Sequence, residues 1–314
     1  MTRLILTGDA SAALGLPKAG RVDIAIDLVP RFIGGPLPSD AELAAMLAPR
    51  TTQGPGSHWL DYASSPARKK IGGRDLGLIE LCGRCETVEL WFDPSPKHQL
   101  QLIWLLDYFR SHPQIVSRLR LRIVDYNLTT ATPEELGRWK VLDVDITSDE
   151  LETASAAWQA YRASTPEACF DLLSKDLSAL PLLKPALINL LNELPSSSTG
   201  LGATEMRMLE LIARGYSLTN ALFYLRSLRR TDIFNEFEHG YLLDGLALGP
   251  RPAVTGLDEE LRTIPRENFG NRVSAYRRSV LSLTEFGKAI VAHKEDLGKQ
   301  TVTHRARQSH FGAD

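Results

Sequence analysis

Apolar runs cut short by turn formers mark the first 130 residues. RLILT (3–7) stops at Gly8-Asp9, RVDIAI (21–26) at Asp27, TVELWF (87–92) at Asp93-Pro94, and LRLRIV (119–124) at Asp125. Short segments rich in Val, Ile, Leu and aromatics with such endings predict β-strands. Helical periodicity falls between them. The spacing predicts a helix over 40–48 behind the N-cap Ser39, another over 75–81, and a third over 97–109 behind Ser95-Pro96. Strands alternating with helices predict an α/β fold with a mostly parallel sheet.

The strand signal fades after that. Residues 148–162, 166–175 and 178–194 read as helices, followed by the linker-like PSSSTG at 195–200. Helices are predicted over 203–214, 217–228 and 233–246, then a strand-like SVLSL at 279–283 and a helix over 284–293. Three helices, a strand and a last helix predict a winged-helix-like C-terminal module. The expected organisation is an α/β domain over 1–130, a helical segment over 131–195 and the winged-helix-like module over 200–314.

The strand ends carry the candidate chemistry. Asp9, Asp27, Asp93 and Asp125 each follow a predicted strand. In open α/β sheets, ligands bind beyond the carboxyl ends of the strands. Carboxylates gathered there can hold a divalent cation, hydrogen-bond sugar hydroxyls, or meet a cationic group. Asp is also an ordinary turn former and helix cap, which explains each one singly. The helix start at Ser95–His98 should face the same edge. Its free N–H groups, with Lys97 and His98, would suit an anion.

Other chemistries are excluded by what is missing. No G-x-x-x-x-G-K-[ST] and no G-x-G-x-x-G after a strand is present, against a P-loop NTPase or a dinucleotide-binding dehydrogenase. Gly8-Asp9-Ala10-Ser11 has Ala where a Gly-Asp-Ser hydrolase has its nucleophile. Cys82-Gly-Arg-Cys85 follows a helix rather than starting one, so it lacks the dipole that activates a thiolate. No two His are spaced i, i+4.

Composition narrows the class further. The 314 residues are 43% hydrophobic and 24% charged, as in ordinary globular proteins. Lys+Arg total 36 against 38 Asp+Glu, a net charge of -2 that argues against a protein coating nucleic acid. Three Cys cannot build a disulfide scaffold. No apolar stretch approaches a bilayer's width and the start is not a secretory signal, so a cytoplasmic location is expected.

Several segments, taken in order, resemble a bacterial family known only as a domain of unknown function (eighteen thirty-five). They are LTGDASAAL, IDLVPRFIGGPLP, VELWFDPSPKHQLQLIWLLDYF, AAWQAYRASTPEA, ALPLLKPALINLLNELPSSSTGLGATEMRMLELIARG and LSLTEFGKAIV, spanning Leu4 to about Val291. The resemblance implies an N-terminal α/β domain followed by a helical region. It implies no reaction. His98 stands where members often have an acid, and Ala10 where many have Ser.

The leading expectation is a small-ligand site made by Asp9, Asp27, Asp93, Lys97 and His98. Its ligand would be anionic, a nucleotide or phosphorylated metabolite. No cofactor is indicated and no metal is assigned. The alternative is a ligand-sensing transcriptional regulator whose C-terminal module binds DNA. Arg226, Arg229 and Arg230, with Arg272, Arg277 and Arg278 later, favour it, but IFNEFEHGYLLDGL (233–246) has three acids and no Lys or Arg. A third reading is an interaction protein using ALPLLKPALINLLNEL as a dimer face.

Overall fold

The structure, a computed structural model, describes residues 3–28, 30–50, 58–72, 75–225, 228 and 233–295. The chain forms two compact units, the first running to Ile188 and the second starting at Asn189. This differs from the expected three parts. Helix Ser148–Arg162 buries Ala154, Ala157, Trp158 and Tyr161, and it packs along helix Pro96–Arg110 in the first unit. Trp158 lies 4.9 Å from the Phe32 ring, and the Tyr161 hydroxyl donates to the Phe32 carbonyl at 2.5 Å.

The first unit is α/β. Its strands are β1 (Arg3–Thr7), β2 (Ile24–Asp27), β3 (Thr87–Phe92), β4 (Leu119–Ile123) and β5 (Leu142–Asp145), in the order β2-β1-β3-β4-β5. The first four are parallel and β5 runs antiparallel to β4. As its near-continuous apolar run requires, β3 is central, with Val88 to Phe92 buried. Its one charge, Glu89, accepts from Arg122 at 3.0 Å, from Trp91 Nε1 at 2.9 Å and from Arg3. Burial works to raise this carboxyl, yet those donors hold it below its ordinary range.

Two elements escape the sequence pattern. β5 reads LDVD and is mostly exposed, so it shows no buried face. Arg120–Asp145 and Arg122–Asp143 ion pairs, both 3.0 Å, tie it to β4, and its acids blunt the open edge. Helix Ala10–Lys18 contains Gly15 and Pro17, which weaken helical propensity. Gly15 is needed because a Cβ there would stand 2.8 Å from Leu136.

The second unit begins with the end of the Leu183–Leu191 helix and continues through helices Ala203–Ala213, Thr219–Tyr224 and Glu236–Ala247. β6 (Val254–Thr255), helix Phe269–Arg278, β7 (Ser282–Leu283) and helix Glu285–Val291 follow. β6 pairs antiparallel with β7, and Leu218 bridges Val280. Gly256 has φ 89°, and a Cβ there would strike the Val280 carbonyl. The Pro- and Gly-broken stretch after residue 249 hides both β6 and the 269–278 helix from sequence reading. No helix among the described residues is long and apolar enough to cross a membrane.

Candidate functional site

The strand order reverses between β1 and β3, which makes their carboxyl ends a topological switch point. Thr7 and Trp91 are in register there, so Asp9 and Asp93 each lie two residues past a paired position. The sheet thus brings these two carboxylates to one edge.

Asp93 is sealed. It is 1% exposed. Its Oδ1 accepts from the Ser95 N–H at 2.9 Å, the Ser95 hydroxyl at 2.6 Å and His98 Nδ1 at 2.7 Å, and its Oδ2 accepts from the Leu128 N–H at 3.2 Å. His98 is fully buried, and its Nε2 stands 2.9 Å from the Gly8 carbonyl. Both ring nitrogens thus face oxygen atoms of the protein. Burial alone would raise the Asp93 carboxyl. The His98 ring and the Ser95 donors overcome that and hold it at about 2.

Gly8 makes this contact possible. A Cβ there would collide with the His98 ring and the Gln101 amide. Gln101 Nε2 donates to the Leu28 and Pro30 carbonyls, both at 2.8 Å, fixing the chain as it leaves β2. Gln99 donates to the Asp93 carbonyl at 2.8 Å.

Asp9 caps helix Ala10–Lys18, its Oδ1 accepting from the Ala12 N–H at 2.8 Å. Its Oδ2 accepts from the Thr129 hydroxyl at 2.9 Å. Consecutive residues of the loop after β4, Leu128 and Thr129, therefore clasp Asp93 and Asp9. Asp27 is half-buried at the end of β2, paired in register with Thr7. Its carboxyl is raised by burial, and the charge of Asp9 adds to the shift. Among the described residues, no ion pair joins Asp9 or Asp27 to a Lys, Arg or His.

The sequence-derived candidates fall into two groups. Asp9 is buried and Asp27 half-buried, and the charge of Asp9 acts on Asp27. Asp93 and His98 have every polar side-chain atom engaged inside the protein, so in this arrangement His98 offers nothing to an anion. Lys97 is partly exposed in the first turn of the 96–110 helix. Asp125 is exposed and joins none of these bonds. Sequence reading missed Gly8, Gln101, Leu128 and Thr129. Only Gln99 and Gln101, two amides in an apolar helix, carried a visible signal.

Two other features have settled roles. Cys82 and Cys85 are buried, and burial pushes both thiols up, away from thiolate chemistry. Among the described residues, no group of three His, Cys, Asp or Glu is placed to hold a metal ion. No family model matches the chain and no curated protein matches it.

Proposed function

We propose that the first unit binds a small ligand at the carboxyl ends of β1 and β2, with Asp9 and Asp27 as the contacting carboxylates. Asp93 and His98 are positioning residues that hold the β1 and β3 ends in place. The observation that carries this reading is a pair of neighbouring carboxylates at the ends of β1 and β2, beside the switch point, with no ion pair to a Lys, Arg or His among the described residues. Such a pair favours a ligand that donates hydrogen bonds or carries positive charge, such as a polyol or an amine. A nucleotide or phosphorylated metabolite, the class the helix start first suggested, fits less well. Asp9 already takes the Ala12 N–H in the first turn of its helix, and Asp93 takes the N–H of Ser95, the cap residue of the 96–110 helix.

Thermal-shift measurements with amines, guanidines, sugars, nucleotides and sugar phosphates test this. A ligand at 100 times its Kd adds about 2.7 kcal/mol of stability. Stabilisation by a donor-rich ligand, lost in Asp27→Asn, is expected. Stabilisation by phosphates alone, or by nothing in the panel, overturns the reading.

The regulator reading keeps one observation in its favour. The second unit runs helix, bridge, helix, helix and strand, then the 269–278 helix before the second, antiparallel strand and a last helix, so it shares with a winged-helix-like module three helices and a small two-stranded sheet. Its third helix, Glu236–Ala247, carries Glu236, Glu238 and Asp244, and helix 269–278 lies against it through Arg272 and Tyr276. A groove-reading helix needs the opposite charge and a free face. Arg226, Arg229 and Arg230 lie outside the described residues. Salt-sensitive, submicromolar binding to DNA fragments would restore this alternative.

A further inference from the structure

Asp9 reaches the crevice with both carboxylate oxygens in use. It is 7% exposed. Oδ1 caps the Ala10–Lys18 helix through the Ala12 N–H at 2.8 Å. A ligand cannot take that oxygen without uncapping the helix. Oδ2 accepts from the Thr129 hydroxyl at 2.9 Å. The two donors are held very differently. The Ala12 N–H is fixed in the backbone of a helix that buries Ala12, Ala13 and Leu16. Thr129 is exposed, so its hydroxyl loses little by turning from Asp9 to water.

The turn that carries Thr129 is firm on both sides and loose at its tip. Before the tip, Tyr126 stacks on Trp139 at 4.5 Å. Leu128 is fully buried in a cluster with Ile5, Trp91 and Leu136, and its N–H donates to Asp93 Oδ2 at 3.2 Å. After the tip, Ala131 packs against the same cluster, and Thr132 caps the Pro133–Arg138 helix. Thr129 and Thr130 between them are exposed. The Thr130 N–H meets Asn127 Oδ1, itself on an exposed residue, at a long 3.3 Å. A movement confined to these two residues therefore disturbs no buried apolar side chain.

We propose that Thr129 is a gate on Asp9: its hydroxyl holds on Oδ2 the place that a hydrogen-bond donor of the ligand takes, and the ligand enters by turning Thr129 out while Leu128 and Ala131 stay packed. This rests on the reading of Asp9 and Asp27 as the contacting carboxylates. Asp27, half-buried, meets the ligand first, and Asp9 joins once Thr129 has left. The gate selects by chemistry. An entering ammonium, guanidinium or sugar hydroxyl replaces one donor on the carboxylate by another. A phosphate oxygen brings an acceptor to an acceptor, and Thr129 stays shut.

Carbodiimide coupling of an amine to the carboxylates of the full chain, read residue by residue by mass spectrometry, tests the gate without any ligand. In the wild-type protein Asp27 should couple faster than Asp9. Thr129→Val keeps the side chain's shape and deletes its donor. Asp9 coupling should then rise about tenfold, the equivalent of one hydrogen bond to a charged group, with Asp27 and the sealed Asp93 unchanged. Thr129→Ser keeps the donor and should couple at the wild-type rate. Equal coupling of Asp9 and Asp27 in the wild type overturns the gate, as does an Asp9 rate that Thr129→Val leaves unchanged. A parallel rise at Asp93 also overturns it, because that reports a general loosening of the β1 and β3 ends. If Thr129→Val does not fold, the wild-type ratio and Thr129→Ser decide. The coupling rates read the gate and the thermal-shift panel reads the ligand site, so each fails on its own result.

Discussion

His98 joins two strand ends. Its Nδ1 lies 2.7 Å from Asp93, just past β3, and its Nε2 lies 2.9 Å from the carbonyl of Gly8, just past β1. The Asp93 carboxylate is buried, so it cannot turn to water if the ring is lost, while Gly8 is half-buried. Replacing His98 by Ala leaves a buried carboxylate and a backbone carbonyl without their ring partner. The expected loss is about 3–5 kcal/mol in urea unfolding. A loss below about 1 kcal/mol would mean that the ring is not the link between the strands.

The depressed carboxyl of Asp93 gives a pH dependence of definite sign. Its folded value is about 2 against an ordinary 3.8. The unfolded chain therefore binds the proton first as pH falls. Asp93 contributes its stability in full above about pH 4 and loses it as pH falls toward 2. The difference is about 2 kcal/mol. Denaturation midpoints of wild type and Asp93→Asn should converge over that window. Parallel profiles would show that Asp93 is not the titrating group.

The frame of this crevice was legible in the sequence and its filling was not. Apolar runs ending at Gly8-Asp9, Asp27 and Asp93 marked strand ends, because a buried parallel strand must be apolar and must then turn. What each Asp would touch depended on residues far along the chain. Thr129 reaches Asp9 across 120 positions, and Gly8 meets His98 across 90. No local period encodes such pairs. β5 stayed hidden for a related reason: LDVD has little apolar content of its own and is held by arginines on β4.

Gly8→Ala tests the close packing at the β1 exit. The added methyl would meet the His98 ring and the Gln101 amide, and both are fixed by bonds to buried partners. Overpacking of this kind costs about 1–3 kcal/mol. The melting temperature should drop accordingly. An unchanged value would show that the helix shifts freely away from the strand.

Asp27 separates a ligand acid from a structural one. Burial and the neighbouring Asp9 charge raise its carboxyl, so its charged form is disfavoured in the folded protein. The folded chain then holds the proton more tightly than the unfolded chain. Asp27's contribution to stability is present in acid and is lost as pH rises through its folded value. At neutral pH the charge is a burden that Asn does not carry. Asp27→Asn should therefore stabilise the ligand-free protein at pH 7 by about 0.5–1 kcal/mol, the scale of a partly screened contact between charges. The gain should vanish below about pH 4, where both states are protonated. The same substitution should abolish stabilisation by a donor-rich ligand. A residue kept at a loss to stability is what a binding carboxylate looks like. If Asp27→Asn instead destabilises the protein at pH 7, Asp27 serves the fold, and the ligand contact falls to Asp9 alone.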